Sequence, residues 1–436
     1  MSAEESPSSR DIGLPTATAL VVANMVGTGV FTSLGFQAAD VRSVPALLSL
    51  WILGGLYALC GALAYGELGA AMPRSGGEYH FLSRTYHPAV GFLAGWVSVT
   101  VGFAAPVAAA GMALGSYLTK VFPALQPKPV ALTAVTVITL LHLWTLQVRR
   151  GFQNAATLFK VTLICVFILC GFFMAVPQSF ELLPGPGELK ILFSAPFAVS
   201  LVYVTYAYSG WNASVYIASE VREPSRTIPR SLLLGTLAVT ALYVLLNFVF
   251  LLTTPLPELA GQLEVGFLSA GHLFGPSGAR FMGLLIAIGL VSCISSMVWA
   301  GPRVLLALGQ DAPFFKALAP LNRFGVPHRA MLVQYAIVLV MVLTSTFEKV
   351  ITYMGFTLAA CTFMAVLGVF VHRHRFPEAP RPYRTWGYPF TPVFFLIVTA
   401  WMLAFLLRYR PIESLAGLAT LALGLPVYFL GGRNKS

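Results

Sequence analysis

In this chain of 436 residues, 57% are hydrophobic and only 10% charged, against the about 25% charged residues of a soluble globular protein. With a mean hydropathy of +0.79, that excludes a soluble enzyme, a disordered chain and a disulfide scaffold, and leaves a polytopic membrane protein. The net charge of +11 is not a nucleic-acid signature, because the basic residues sit in short separated loops and form no stripe.

Apolar runs separated by charged or Pro/Gly-rich joints predict an all-α chain of twelve transmembrane helices. In order they cover Leu14 to Asp40, Pro45 to Ala70, Ala89 to Leu118, Val130 to Leu146, Asn154 to Val176 and Leu192 to Glu220. The second six cover Ile228 to Thr254, Ala279 to Leu308, Arg329 to Phe347, Val350 to His372, Pro389 to Leu407 and Pro411 to Leu430. The polar segment Met1 to Gly13 has no basic n-region, so no cleaved signal peptide is expected. Cys60, Cys165, Cys170, Cys293 and Cys361 all lie in apolar runs without CxxC spacing. They read as small buried thiols, and no metal or cofactor is expected.

Twelve spans put both tails on one side. Of the 27 basic residues, 18 fall in the tails and even-to-odd joints, 8 on the opposite side, and Lys160 inside a span. Lys and Arg are retained on the cytoplasmic side of a membrane, so both termini are expected in the cytoplasm.

Two spans read as broken. The first contains Val26-Gly27-Thr28-Gly29-Val30, and the sixth Tyr206-Ala207-Tyr208-Ser209-Gly210-Trp211-Asn212. Taken singly, such glycines serve close helix packing. As a pair five helices apart, they point to a transporter whose halves are inverted repeats meeting at a mid-membrane binding site. The expected division is a cytoplasmic tail 1–13, a first repeat 14–176, a second repeat 192–374, peripheral helices 389–431 and a tail 432–436.

At these residues the chain resembles the amino acid–polyamine–organocation (APC) superfamily. Gly27-Thr28-Gly29-Val30-Phe31 is similar to its first-helix glycine motif. Gly66-Glu67-Leu68 and Met72-Pro73-Arg74-Ser75-Gly76-Gly77-Glu78-Tyr79 resemble its segment after helix two. Ala207 to Arg230, with Ser219-Glu220-Val221-Arg222-Glu223-Pro224, looks most like the L-type amino acid transporter (LAT) branch, as do Arg381-Pro382-Tyr383-Arg384 and Gly387-Tyr388-Pro389. The resemblance implies the LeuT-type fold, a five-plus-five inverted repeat with broken helices 1 and 6 plus two peripheral helices. Animal members of the branch join a single-span glycoprotein through a cysteine between helices three and four. Residues 120–129 hold no cysteine, so a disulfide-linked heavy chain is not expected, and the chain resembles a stand-alone prokaryotic member.

An amino acid zwitterion in hydrocarbon needs both its charges met. A broken helix supplies free N–H groups at one half-helix terminus and free carbonyls at the other. Helix one runs outward, so N–H groups near Thr28 to Val30 suit a carboxylate, and carbonyls near Asn24 to Val26 suit an ammonium. Helix six adds carbonyls near Tyr206 to Ser209. The resemblance implies the same places: the carboxylate at Thr28 and Gly29, the ammonium at the carbonyls of Met25, Tyr206 and Ser209, and Tyr206 as an aromatic gate. Asn212 is placed in the binding site and Trp211 beside it, or both serve packing within the bundle.

Other polar residues keep two readings. Ser292, Ser295 and Ser296 either coordinate sodium or back-bond to their own helix. His142 is either a core histidine or a proton relay. Glu67 and Glu220 form a cytoplasmic latch or simple anchors. Lys160 stands about 9 Å up helix five from Asn154. It either snorkels or, as the resemblance implies, takes the place of sodium between helices one and eight, near Gly27 and Ser292. No P-loop, HExxH pair or nucleophile elbow appears, so no enzyme is read here. The expected activity is secondary transport of neutral L-amino acids, independent of sodium, by exchange or linked to protons. The alternatives are a transporter of polyamines or other organic cations and, in a different class, a membrane-embedded enzyme or channel. An organic cation would want an acidic residue in the site, and the central thirds of helices one, three, six, eight and ten contain no Asp or Glu.

Overall fold

The first predicted span is two helices, α1 (Leu14–Met25) and α2 (Gly29–Asp40), bent by 41° across Val26, Gly27 and Thr28. The computed structural model that shows this describes residues 10–144, 150–176, 178, 185, 188–311 and 316–432. Most of the two tails and much of 177–187 therefore lie outside the described residues, as do Arg149, Arg433 and Lys435 of the charge count. Pro15 sits in the first turn of α1, where a missing N–H leaves nothing unpaired.

Next come α3 (Val44–Ala71), α4 (Gly77–Thr85), α5 (Pro88–Val97) and α6 (Ala104–Val121). Ser43 starts α3, its hydroxyl accepting from Ala46 N at 3.2 Å. Helix α4 was not anticipated. A π-turn over Ser98–Gly102 joins α5 to α6. Pro106 has no N–H for the Gly102 carbonyl and its ring crowds that turn, so the helix widens there. α7 (Pro127–Trp144), α8 (Arg150–Met174) and the short α9 (Glu188–Leu192) follow.

The sixth span opens as α10 (Ala195–Ala207), capped by Ser194 and started by Pro196. After the break it continues as a tight 3₁₀ helix, Ala213–Glu220, rather than a second α-helical half. α11 (Pro224–Thr253) and α12 (Leu256–Leu259) lead into α13 (Val265–Asp311). The predicted eighth span began at Ala279. The helix in fact starts at Val265 and turns a corner at Gly275, whose φ is 73°. The missing N–H of Pro276 breaks the ladder, and glycine alone takes that φ without strain. α14 (His328–Thr344), α15 (Phe347–Arg375), α16 (Phe390–Tyr409) and α17 (Pro411–Gly432) complete the chain.

Among the described residues, nine helices are long and apolar enough to cross a membrane, and the α1–α2 pair is a tenth candidate. α10 and α14 are apolar but shorter, with 13 and 17 residues.

α2 and α10 are mostly buried, and α1 buries one face through Ala17, Val21 and Met25. α1 packs on α11, α2 on α10, α3 on α11, and α6 on α13. Glu67 of α3, on the face where α1 begins (the tail face), accepts two bonds from Arg373 at 2.8 and 2.6 Å and one from Thr385 N at 2.7 Å. On the opposite face Glu348 pairs with Arg410 at 2.5 Å and accepts from the Tyr203 hydroxyl at 3.1 Å. Helix α15 is thus tied down at both ends. The Glu67–Arg373 pair is bidentate with a buried carboxylate, and such charge-assisted bonds are shorter and stronger than neutral ones.

Candidate substrate site at the two helix breaks

The two breaks touch. A Cβ on Gly29 would lie 2.5 Å from Ala207 Cα, and one on Gly210 would lie 2.8 Å from the Asn24 carbonyl carbon and oxygen. Gly210 has a φ of 95°. Only glycine lets backbone meet backbone at both points. The sequence places the substrate carboxylate at Thr28 and Gly29; in the structure the space that a Gly29 side chain would take is filled by α10.

At the start of α2, no acceptor for the N–H groups of Gly29 and Val30 is found among the described residues, while Phe31 N donates to the Thr28 carbonyl at 3.1 Å. Unpaired N–H groups at a helix start suit an anion. On the carbonyl side, Met25 O accepts from the Tyr243 hydroxyl at 2.6 Å. Tyr206 O accepts from Ser209 N at 3.0 Å. Each carbonyl has a second lone pair for an ammonium. No backbone N–H among the described residues bonds the Ser209 carbonyl.

Tyr206 sits at the end of α10 beside the second break, its hydroxyl within electrostatic reach of the Thr28 side chain. Its ring meets Phe347 edge-on at 6.4 Å, and Phe36 stacks on both Phe347 and Tyr203. Met25, Thr28 and Tyr206 are 2%, 4% and 7% exposed, while Gly27, Ser209 and Gly210 are half-buried. The Asn212 amide donates to Glu78 Oε1 at 2.9 Å. Trp211 packs edge-on against Tyr65 at 4.7 Å.

Lys160 does not snorkel. It is 4% exposed, and its ammonium donates to Val26 O at 2.6 Å and lies 3.7 Å from Cys293 Sγ. It therefore joins α8 to the end of α1 and to α13. Of the serines on α13, Ser295 pairs with His142 Nε2 at 2.9 Å and Ser296 back-bonds to Ser292 O at 2.7 Å. The Ser292 hydroxyl is buried with no partner among the described residues. The Glu220 side chain is exposed, and its carbonyl accepts from Ile12 N at 3.2 Å.

Sequence reasoning missed Tyr243. Its bond orients the Met25 carbonyl, and a net hydrogen bond contributes about 0.5–1.5 kcal/mol. Tyr243→Phe is therefore expected to raise the substrate KM about two- to tenfold while folded yield is kept, measured as uptake kinetics per mole of monodisperse protein.

The family model described as Amino acid permease matches residues 12–420. The chain belongs to that family. This permease is therefore an integral membrane transporter and not an enzyme. It is 27% identical to the serine/threonine exchanger SteT of Bacillus subtilis (strain 168) over 446 residues, covering 100% of both chains. It is 28% identical to large neutral amino acids transporter small subunit 2 of Mus musculus, covering 97% of this chain and 81% of the relative. It is 24% identical to the cystine/glutamate transporter of Homo sapiens, covering 97% and 85%. These similarities place the permease in the APC superfamily, in the L-type branch.

Proposed function

We propose that this permease exchanges neutral L-amino acids across the cell membrane by alternating access, without sodium. One observation supports the reading: the N–H groups of Gly29 and Val30, without an acceptor among the described residues, lie at a break that touches the break carrying the carbonyls of Tyr206 and Ser209. That arrangement offers a zwitterion one partner for each of its charges and takes no charged side chain from the protein. The ammonium of Lys160 on Val26 O supplies the positive charge that a bound sodium ion would otherwise bring. Twelve passes are proposed, with α10 and α14 as two of them, arranged as repeats 14–176 and 192–374 with 389–431 peripheral. Both termini are placed in the cytoplasm by the 18:8 distribution of basic residues. The absence of cysteine from 120–129 supports a carrier that works without a disulfide-linked partner.

Among the described residues Glu78 is the one carboxylate bonded to a residue of the break, and three donors already occupy its oxygens. It is not open to a polyamine, which favours the zwitterion. One relative is named for large neutral amino acids and another for serine and threonine, whose side chains are uncharged, which supports the neutral class.

Fixed backbone polarity makes both ends of the substrate matter. A neutral amino acid is expected to compete at least about tenfold better than its methyl ester or its N-acetyl derivative, one lost charge-assisted bond being worth about 1.5–3 kcal/mol. The check is inhibition of labelled uptake in proteoliposomes. Equal competition by the decarboxylated amine would transfer the reading to organic cations.

A further inference from the structure

The segment Ser75–Glu78 grips the inner half of the sixth span at three successive levels. Ser75 and Ser219 exchange reciprocal bonds, each backbone N donating to the other hydroxyl at 3.1 Å. Gly77 lies so close to the Tyr216 ring that a Cβ there would be 2.5 Å from it, and Gly76 and Gly77 have φ of 125° and 53°. Two consecutive residues in that region favour glycine at both positions. The turn delivers Glu78, 6% exposed, into a ring of donors. Its Oε1 accepts from the Tyr65 hydroxyl at 2.8 Å and from Asn212 Nδ2 at 2.9 Å, and its Oε2 from the Tyr216 hydroxyl. Among the described residues no Lys, Arg or His lies within ion-pair distance of it. At its other end α4 is fastened to α15: Tyr86 bonds Met364 O at 2.9 Å, and Arg375 bonds the carbonyls of Thr85 and Tyr86 at 3.0 and 3.1 Å.

We infer that Glu78, held by the Ser75–Gly77 turn, is the positioning residue that clamps Asn212–Ser219 shut beneath the substrate site, and that this clamp must open for substrate to pass to the tail face. This rests on the transport reading above. A buried carboxylate without a cation is tolerated only while charge-assisted bonds replace its water. Bonds broken in a dry interior leave the charge stranded, whereas bonds broken as water enters leave it hydrated. The clamp therefore has two favourable states, closed and dry or open and wet, and disfavours the states between. Alternating access needs a discrete step of this kind on the inner path.

Cys361 reports on the clamp. It is buried on α15 within electrostatic reach of Glu78, Tyr65 and Tyr216, and opening of the clamp is expected to bring water to its thiol. The experiment treats purified full-length protein with N-ethylmaleimide and reads alkylation at Cys361 by peptide mass spectrometry, beside exchange kinetics in proteoliposomes. Glu78→Ala is expected to raise the Cys361 labelling rate about tenfold and lower kcat about tenfold, with KM within about twofold, since charge-assisted bonds are lost away from the substrate. Glu78→Gln keeps an acceptor for Tyr65 and Asn212 and is expected to stay within about threefold of wild type in both. If Glu78→Ala does not fold, Tyr216→Phe removes one bond of the clamp and is expected to raise labelling about threefold. Wild-type labelling in Glu78→Ala or Tyr216→Phe, or Glu78→Gln as damaged as Glu78→Ala, would overturn the clamp. Failure of the wild type to move any amino acid would overturn the transport reading instead, with labelling still the judge of the clamp.

Discussion

Gly29→Val is expected to reduce uptake to background while the protein still inserts and elutes as a single species. The Cβ alone would stand 2.5 Å from Ala207 Cα and 2.8 Å from its Cβ. That neighbour is backbone and cannot rotate away, so α2 and α10 must separate. Overpacking of this kind costs about 1–3 kcal/mol, and here it falls on the geometry that sets the N–H groups of Gly29 and Val30 against the carbonyls of the sixth span. Gly29→Ala already carries the offending atom and is expected to lose at least about tenfold in kcat/KM. Gly27 is the internal comparison. A Cβ there meets only Met25 O at 3.8 Å, and its φ is not in the left-handed region. Gly27→Ala is therefore expected to retain most activity. Uptake per mole of monodisperse protein decides it, and equal loss at Gly27 and Gly29 would count against the contact between the breaks as the cause.

Lys160→Ala is expected to cut exchange by about ten- to a hundredfold. The substitution leaves Val26 O without its donor, and a buried polar group left unpaired costs about 1–3 kcal/mol. It also removes the ammonium that couples the end of α1 to α13. Because the cost falls on the join between site and bundle, folded yield is expected to fall much less than rate. Sodium is not expected to rescue the variant. The comparison is uptake by wild type and Lys160→Ala in choline and in sodium media, and full activity in the variant would remove Lys160 from the mechanism.

The spans were legible because an apolar run of about 20 residues has few other uses. The breaks were legible because Gly, Ser and Asn stand out inside such runs. What escaped depends on distance along the chain or on local turn chemistry. Asn212 looked like a pocket residue, and its partner Glu78 is 134 positions away. Tyr243 is one tyrosine in an apolar helix, and no spacing links it to Met25, 218 positions off. Gly275-Pro276 read as the end of a loop, while the chain uses it as a corner inside one helical element. The Ser75-Gly76-Gly77-Glu78 run was conspicuous as a motif. That its glycines deliver a carboxylate under the sixth span follows from their φ angles and the Tyr216 ring beside them.

The central claim, sodium-independent exchange of neutral amino acids through the two breaks, is tested most directly by counterflow. Proteoliposomes holding full-length wild-type protein are loaded with unlabelled neutral amino acid, placed in choline medium free of sodium, and given the labelled amino acid outside. Label is expected to accumulate rapidly, to require the internal amino acid, and to be unchanged when sodium replaces choline. No accumulation with any neutral amino acid, or accumulation only in sodium, would contradict it.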